Sequence, residues 1–308
     1  MDHGLSLDKR FFKAHGHGND YLVFPEGRDW KVTEAAVGAI CHRWRGVGGD
    51  GIVALLAGGD EPPFHLRMFN PDGSEFERSG NGLRVLGAYL FSRGRVREGE
   101  PFPVRVGGDE VSMEILGREP GGGLGVAVAM GRARMGGEAV GWRPADLQEE
   151  EELEGPGGEV LDVQPVSTGN PHCVVFREVL EEADLRSLGP FLTAHPVFPR
   201  GVNVQLARVG GEGRVEILIW ERGVGRTTAS GTSACASAAA AVHRGLLEPG
   251  RIQVAMEGGS FHVTVSRELD LRLEGPVGPV MTGDLTEGML EGLETLEAGP
   301  TSGPEPGR

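Results

Sequence analysis

The chain has 308 residues, of which 39% are hydrophobic and 24% are charged, a composition typical of a soluble globular protein with room for two domains. Its formal net charge of −15 argues against nucleic acid or an anionic membrane surface as a partner. No apolar run reaches the length of a membrane span. The first residues lack the basic and then apolar layout of a signal peptide, so we expect a cytoplasmic location.

Three cysteines, Cys41, Cys173 and Cys235, show no metal-binding spacing and no even count,. In a reducing compartment such thiols pack as small apolar side chains. We therefore expect three buried free cysteines, with no disulfide and no metal site.

Short strands separated by glycine-rich turns dominate the first part of the chain. Two apolar strands flank the polar turn 15–20, and Thr33 is placed to cap a helix,. The further predicted elements are a helix at 33–44, strands at 52–56 and 64–69, a turn at 70–73, a helix at 83–91, and strands at 103–106, 111–115 and 125–130. Short strands arranged about one helix predict a barrel-like α+β unit rather than a doubly wound sheet.

The second part repeats this plan after an acidic, glycine-rich stretch at 144–160, which predicts a solvated turn or short helix,. The predicted strands are 160–166, 173–176, 202–206, 215–220, 251–256, 260–265 and 269–273, and the predicted helices are 184–192 and 234–242. The tail, 296–308, is rich in Gly, Pro, Ser and Glu and is predicted to be disordered,.

Two junctions share one design, because Ser79 and Ser230 each stand where a strand and a turn give way to a helix. The free backbone N–H groups of a helix N-terminus attract a carboxylate. A side chain at position 230 would then lie against the α-carbon of that ligand. Because the serines belong to separate halves, the two N-termini are predicted to face each other across one ligand.

Eight segments occur in the same order in one known family. They are Lys13–Asp20, Arg45–Gly51, Phe69–Ser74, Gly80–Gly82, Thr168–Cys173, Gly201–Val204, Trp220–Gly223 and Met281–Gly283. On these segments the chain resembles the diaminopimelate epimerases, which are cofactor-independent amino-acid epimerases, over nearly its whole length.

The resemblance implies two pseudo-symmetric barrel-like domains, each a β-sheet wrapped around a central helix, with the active site in the cleft between them. The expected domains are 1–131, joined by a return at 283–295, and 132–282. The implied reaction interconverts LL- and meso-diaminopimelate by two-base α-proton transfer, in lysine and peptidoglycan precursor synthesis. The implied partner is a small amino-acid substrate, with no cofactor and no metal, and a homodimer is left open.

The resemblance also carries the site over residue by residue. Ser79 and Ser230 occupy the positions of the family's two catalytic cysteines. The implied groups for the substrate's distal ammonium and carboxylate are Asn19, Asn70, Asn170, Asn203, Glu221 and Arg222. The implied contacts at the helix N-termini are Gly80, Asn81, Gly231 and Thr232.

The two serines are a departure from the family, since a hydroxyl is a far weaker acid than a thiol and needs a neighbouring base. His15, His17 and His172 are the candidate bases. Two further departures are Arg226, where the family usually has Glu, and Ser233, where it usually has Gly.

We therefore expect an epimerase scaffold and ligand with no or very slow turnover, whether the serines are natural or introduced. Two alternatives stay open at this point. One is a related isomerase or lyase with a different base, and the other is a ligand-binding pseudoenzyme.

Overall fold

The computed structural model describes residues 2–58, 61–76, 79–119, 122–142, 152–211 and 213–298. In these ranges the strands are β1 (Asp2–Leu7), β2 (Arg10–Gly16), β3 (Asn19–Pro25), β4 (Trp30–Thr33), β5 (Ile52–Leu55), β6 (Phe64–Phe69), β7 (Glu75–Phe76), β8 (Phe102–Val106), β9 (Asp109–Arg118), β10 (Leu124–Arg132), β11 (Arg134–Met135), β12 (Glu152–Glu154), β13 (Val160–Asp162), β14 (Gln164–Ser167), β15 (Pro171–Phe176), β16 (Asn203–Gly210), β17 (Arg214–Glu221), β18 (Gly225–Thr227), β19 (Gly250–Met256), β20 (Gly259–Val265) and β21 (Asp270–Asp284). The helices are α1 (Glu34–Cys41), α2 (Gly80–Ser92), α3 (Glu182–Thr193), α4 (Gly231–His243) and α5 (Glu287–Ala298), with a 3₁₀ turn at Gly137–Val140. None of these described helices is both long and apolar enough to cross a membrane.

The chain divides into two compact units, residues 1–126 with 277–308 and residues 127–276. In the first unit the hydrogen-bonded strand order is the second half of β21, then β2, β3, β5, β6, β8 and β9. The pairs β3–β5 and β6–β8 are parallel, and the other pairs are antiparallel. Strand β7 forms a short arm on β6, and β1 pairs with β4 in a separate two-stranded sheet.

The second unit has the same order in its own strands. It runs β14, β15, β16, β17, β19, β20 and the first half of β21, with β11 added beside β14 and β18 as the arm on β17. The pairs β15–β16 and β17–β19 are again the parallel ones. A parallel pair needs a crossover, and in both units helices lie in the two crossovers: α1 and α2 in the first, α3 and α4 in the second.

One helix in each unit is enclosed by the strands of that unit. Helix α2 packs against β2, β3, β5 and β9, and α4 packs against β14, β15, β16, β17, β19 and β20. A helix in such a position buries nearly every side, so most of its residues are apolar or small. Residues 80–90 of α2 are accordingly buried, and so are residues 233–241 of α4, where alanines let the strands approach closely.

Each unit also has an outer apolar cluster. In the first unit, Trp30, Ile40 and Leu293 bring β4, α1 and α5 together. In the second, Leu188 and Phe198 pack α3 and the loop after it against the sheet. All three cysteines are buried, and burial raises the pKa of the Cys41 thiol to about 12. The prediction of three buried thiols is confirmed.

Several predicted elements differ from the observed ones. Thr33 does cap α1, accepting from the Ala36 N–H, but the helix ends at Cys41 rather than at 44. A close turn follows, in which Gly46 lies so near the Ala39 carbonyl oxygen that no Cβ fits. The pair β1–β4 was not predicted, because the alternation of β1 is broken by a register shift between Asp2 and Ser6.

The acidic stretch and the tail also need correction. Residues 152–154, predicted as a turn or helix, form β12 and pair with β13, while 143–151 lie outside the described residues. The tail predicted as disordered from 296 overlaps the end of α5, which runs to Ala298 because Leu293 is held in the outer core. Residues 299–308 lie outside the described ranges. The predicted domain limits stay predictions.

The docking of α5 can be tested with two leucines of the same helix. Leu293 is 1% exposed and Leu296 is 50% exposed. Leu293→Ala should lower the free energy of unfolding by about 2–5 kcal/mol, because it leaves a cavity in the outer core. Leu296→Ala should change it by less than about 0.5 kcal/mol. Urea unfolding followed by circular dichroism measures both, and equal shifts in the two variants would contradict the packing described here.

Candidate active site

Ser79 lies at the N-terminus of the enclosed helix α2. Its extended backbone makes it the N-cap, and its Oγ accepts a hydrogen bond from the Gly82 N–H at 3.1 Å. The Ser79 N–H in turn contacts the Met68 sulfur at 3.3 Å. Among the described residues of its own unit, the Ser79 hydroxyl contacts no carboxylate and no imidazole. Ser79 is therefore well placed as a cap, but no described residue of its unit supplies a base for it.

A directed chain of polar side chains lies beside this cap. The buried Arg84 guanidinium donates to the Asn81 Oδ1, Asn81 Nδ2 donates to Asn19 Oδ1 at 2.7 Å, and Asn19 Nδ2 donates to Asp50 Oδ2 at 2.8 Å. A guanidinium can only donate and a carboxylate can only accept, so both amides have one defined orientation. Gly16 allows this arrangement, since a Cβ there would lie 2.5 Å from Arg84 Nη2.

Asp50 is itself held by a cluster of charges. Arg43 bridges Asp50 and Asp20, and Lys13 Nζ lies 3.0 Å from Asp20 Oδ2. Burial acts to raise the pKa of Asp20, but hydrogen bonds from Arg43 and Lys13 outweigh it and the pKa is lowered. Asp20 is therefore ionised at neutral pH, and the cluster fixes the turn that carries Asn19.

Asn70 has a local structural role in the same unit. Its Nδ2 donates to Ser74 Oγ at 3.0 Å, and its backbone carbonyl accepts from the Gly73 N–H at 2.9 Å. The side chain thus closes the turn after β6. Its predicted contact with substrate stays a prediction.

Ser230 repeats the arrangement of Ser79 at the N-terminus of α4, with one addition. It is the N-cap of that helix, and its Oγ accepts from the Ser233 N–H at 3.5 Å, a longer contact than the equivalent one at Ser79. Burial raises the pKa of Glu221, at the end of β17, and the nearby Ser230 hydroxyl partly offsets that rise. Thr232 Oγ1 lies 3.5 Å from the Ser230 oxygen, and Gly231 is buried in the first turn.

Asn203 and Arg222 lie next to Glu221 in the second unit. Asn203 Oδ1 accepts from the Arg222 N–H at 2.9 Å, and its Nδ2 donates to the Pro171 carbonyl at 3.3 Å. The Arg222 guanidinium donates to the Arg200 carbonyl at 2.7 Å. These bonds fix the backbone at the end of β17, where Glu221 is carried.

Asn170 belongs to a buried polar row. Its Oδ1 lies 3.0 Å from His172 Nε2 and 3.1 Å from Thr168 Oγ1, and His172 Nδ1 lies 3.3 Å from Gln205 Oε1. Burial lowers the pKa of His172 to about 4, so the imidazole is neutral at physiological pH.

The carboxyl that lies near a capping serine is Glu221, which the sequence did not mark for that role. Of the histidines considered, His15 accepts from the Gly18 N–H at 3.3 Å, and His172 faces two amide side chains. His17 lies in the turn with φ 52°. The signal for Glu221 was its position at the end of β17, the strand that leads into the Ser230 turn.

Arg226, four residues before Ser230, forms ion pairs with two glutamates. Its guanidinium binds Glu182 at 2.6 Å and also Glu257. It is therefore occupied away from the cap. Within the described ranges, no group of three or more His, Cys, Asp or Glu side chains is placed to hold a metal ion.

The two capped helices offer one chemical capability. The first N–H groups of a helix carry partial positive charge and stabilise a carboxylate, above all one on which negative charge develops. A hydroxyl at the cap position adds a group that can give or take a proton. This set suits proton transfer next to a carboxylate.

Solved structures with the same fold include epimerases. The chain aligns with a predicted epimerase from Pseudomonas aeruginosa at a TM-score of 0.64 and 20% identity, covering 90% of this chain and 98% of that one. It aligns with a hydroxyproline epimerase from Agrobacterium vitis at a TM-score of 0.64 and 15% identity, covering 92% and 94%. These likenesses confirm the predicted α+β fold with barrel-like halves.

Sequence comparison identifies the family itself. The model of the diaminopimelate epimerase family matches residues 11–136 and 165–285. The chain is 34% identical over 278 residues to diaminopimelate epimerase 2 of Nostoc sp., covering 90% of this chain and 95% of that one. It is 35% identical to the diaminopimelate epimerase of Heliobacterium modesticaldum, covering 89% and 99%. The resemblance drawn from eight segments is confirmed, and the chain belongs to the diaminopimelate epimerase family of isomerases.

Proposed function

We propose that the chain binds diaminopimelate and that Ser79 and Ser230 occupy the two acid–base positions of a cofactor-independent epimerase. Epimerisation removes the α-proton from one face of the carbon and delivers a proton to the other, so it needs two groups that exchange roles with direction. The family membership supports the substrate class. The helix N-terminus behind each serine supports the carboxylate as the group where charge develops.

The observation that carries the proposal is that the Ser230 hydroxyl lies near the Glu221 carboxyl. A serine needs a neighbouring base, and the Ser230 hydroxyl is near enough to Glu221 to act against the burial that raises the pKa of that carboxyl. Ser79 caps its helix in the same way but has no such partner among the described residues of its unit. We therefore infer that Ser230 is the more capable of the two groups and that Ser79 limits turnover.

The cellular location and the oligomeric state of the chain are also part of the proposal. We place the reaction in the cytoplasm, where a precursor of lysine and peptidoglycan is made. A homodimer stays a prediction, and light scattering of the purified chain measures it.

The first prediction concerns the α-proton of the substrate. In deuterated water with LL-diaminopimelate, the chain should exchange that proton very slowly or not at all, because hydroxyls are far weaker acids than thiols. The double variant Ser79→Cys with Ser230→Cys should raise the exchange rate by roughly 10²–10⁴-fold, the usual contribution of positioned acid–base groups. NMR follows the loss of the α-proton signal.

Controls separate the thiol chemistry from other effects. Ser92→Cys places a thiol at the far, exposed end of α2 and should leave the exchange rate unchanged. Fast exchange by the unaltered chain would contradict the assigned weakness of the serines. A double variant that stays inert yet binds diaminopimelate by calorimetry would favour the binding-only alternative, and failure to bind diaminopimelate at all would reject the substrate.

The second prediction concerns Glu221 and pH. Burial raises the pKa of this carboxyl in the free protein, whereas a bound substrate ammonium would favour the ionised form and lower that pKa. Affinity for diaminopimelate should therefore fall as pH drops through the raised pKa of the free protein. Glu221→Gln should weaken binding by roughly 10–100-fold at neutral pH, the loss of one charged hydrogen bond, and should remove this pH dependence. Calorimetry at a series of pH values measures both effects.

The exposed Glu248 provides the matched control, because Glu248→Gln should leave affinity and its pH dependence unchanged. If Glu221→Gln lowers only the exchange rate of the double-cysteine variant and leaves affinity intact, Glu221 serves as the base for position 230 and does not bind the ammonium.

A further inference from the structure

A row of buried polar side chains connects the first turn of α4 with Asn170. Ser233 Oγ lies 3.0 Å from Gln205 Nε2, Gln205 Oε1 lies 3.3 Å from His172 Nδ1, and His172 Nε2 lies 3.0 Å from Asn170 Oδ1. Ser233, Gln205 and His172 are fully buried. The row therefore has no solvent to complete its hydrogen bonds, and its members must satisfy one another.

The number of protons on the His172 ring limits which hydrogen bonds this row can form. A neutral imidazole carries one N–H, and burial keeps His172 neutral, with a pKa of about 4. Both ring nitrogens nevertheless face amide oxygens, those of Gln205 and Asn170. Only one oxygen can receive the proton, so one of the two amides must be turned by half a rotation, which exchanges its oxygen and nitrogen.

Two hydroxyls decide which amide turns. If Gln205 turns, Ser233 donates to Gln205 Oε1, Gln205 Nε2 donates to His172 Nδ1, and His172 Nε2–H donates to Asn170 Oδ1. Thr168 Oγ1 donates to the same Asn170 oxygen at 3.1 Å. If Asn170 turns instead, the hydroxyl protons of Ser233 and Thr168 have no acceptor among the described residues. Both serine and threonine are buried, so the first arrangement is the favoured one.

We propose that Ser233 is a positioning residue that sets the direction of this chain. Its hydroxyl starts a one-way series of donations through Gln205 and His172 to Asn170. The series holds the Asn170 oxygen inward and leaves its Nδ2–H groups for the ligand. Asn170 therefore presents a donor, which suits a carboxylate of the substrate and not an ammonium. This assignment rests on the proposed function for the identity of the ligand, but the direction of the chain does not.

The tautomer of His172 shows in which direction the hydrogen bonds from Ser233 to Asn170 run. In the unaltered chain at pH 7, His172 should carry its proton on Nε2. Ser233→Ala removes the donor that orients Gln205, so the Nδ1–H tautomer should become populated. A two-bond ¹⁵N–¹H NMR spectrum of labelled protein distinguishes the two forms. The His172 signal is assigned as the one missing from the spectrum of His172→Gln.

Binding gives a second measure, and a buried serine of the same helix gives the control. Ser233→Ala should weaken diaminopimelate binding by about tenfold in calorimetry, because an Asn170 oxygen turned toward the ligand opposes a carboxylate. Ser237 is also fully buried on α4 and has no hydrogen-bond partner among the described side chains. Ser237→Ala should change neither the tautomer nor the affinity.

The outcomes separate this inference from the proposed function. An Nδ1–H tautomer in the unaltered chain, or an unchanged tautomer in Ser233→Ala, would overturn the direction of the chain. The Nε2–H tautomer together with no binding of diaminopimelate would uphold the direction and reject the proposed substrate. If Ser233→Ala does not fold, the tautomer of the unaltered chain alone decides the question.

Discussion

The need to satisfy the N-terminus of a buried helix organises both halves of this molecule. The first N–H groups of an α-helix have no partner within the helix. Helices α2 and α4 are enclosed by strands, so water does not reach the whole first turn. Ser79 and Ser230 supply the acceptors. An oxygen that accepts from the backbone still keeps its own proton to donate, and at Ser230 the Glu221 carboxyl lies nearby. In the proposed function, the cap and the chemistry therefore share one atom in each unit.

The two units orient their amides by different physical means, although their strands follow the same order. In the first unit the polar chain begins at a guanidinium, Arg84, and ends at a carboxylate, Asp50, so charge alone fixes the amides between them. In the second unit the row contains no ionised group, because His172 is neutral. Its direction depends on two neutral hydroxyls, those of Ser233 and Thr168. Substituting one neutral side chain should therefore disturb the amide orientations less in the first unit than in the second.

The sequence predicted the central elements well because their patterns are strong. The alternation of β17, the alanines of α4 and the Ser-Gly junctions each have a local physical cause, and the repeated plan followed from them. Local pattern was insufficient for α5, since Gly288 and Gly292 weaken its helix signal and only packing of Leu293 into the outer core secures it. The proximity of Glu221 to Ser230 was also beyond prediction, because it depends on how β17 and α4 are placed after the chain turns at Gly223 and Gly225.

A hydroxyl and a thiol at positions 79 and 230 have opposite effects on stability and on chemistry. Serine is among the best N-cap residues, and losing such a cap costs about 0.5–2 kcal/mol, whereas sulfur is a weak acceptor of hydrogen bonds. A thiol at position 79 or 230 would ionise far more readily beside a helix N-terminus but would hold the first turn less firmly. The serines therefore favour a rigid site over a reactive one. Because the Ser230 cap is already long at 3.5 Å, position 230 has less capping energy to lose than position 79, where the contact is 3.1 Å. The stability cost of placing thiols at both positions thus falls mainly on α2, the helix whose serine has no base of its own among the described residues of its unit.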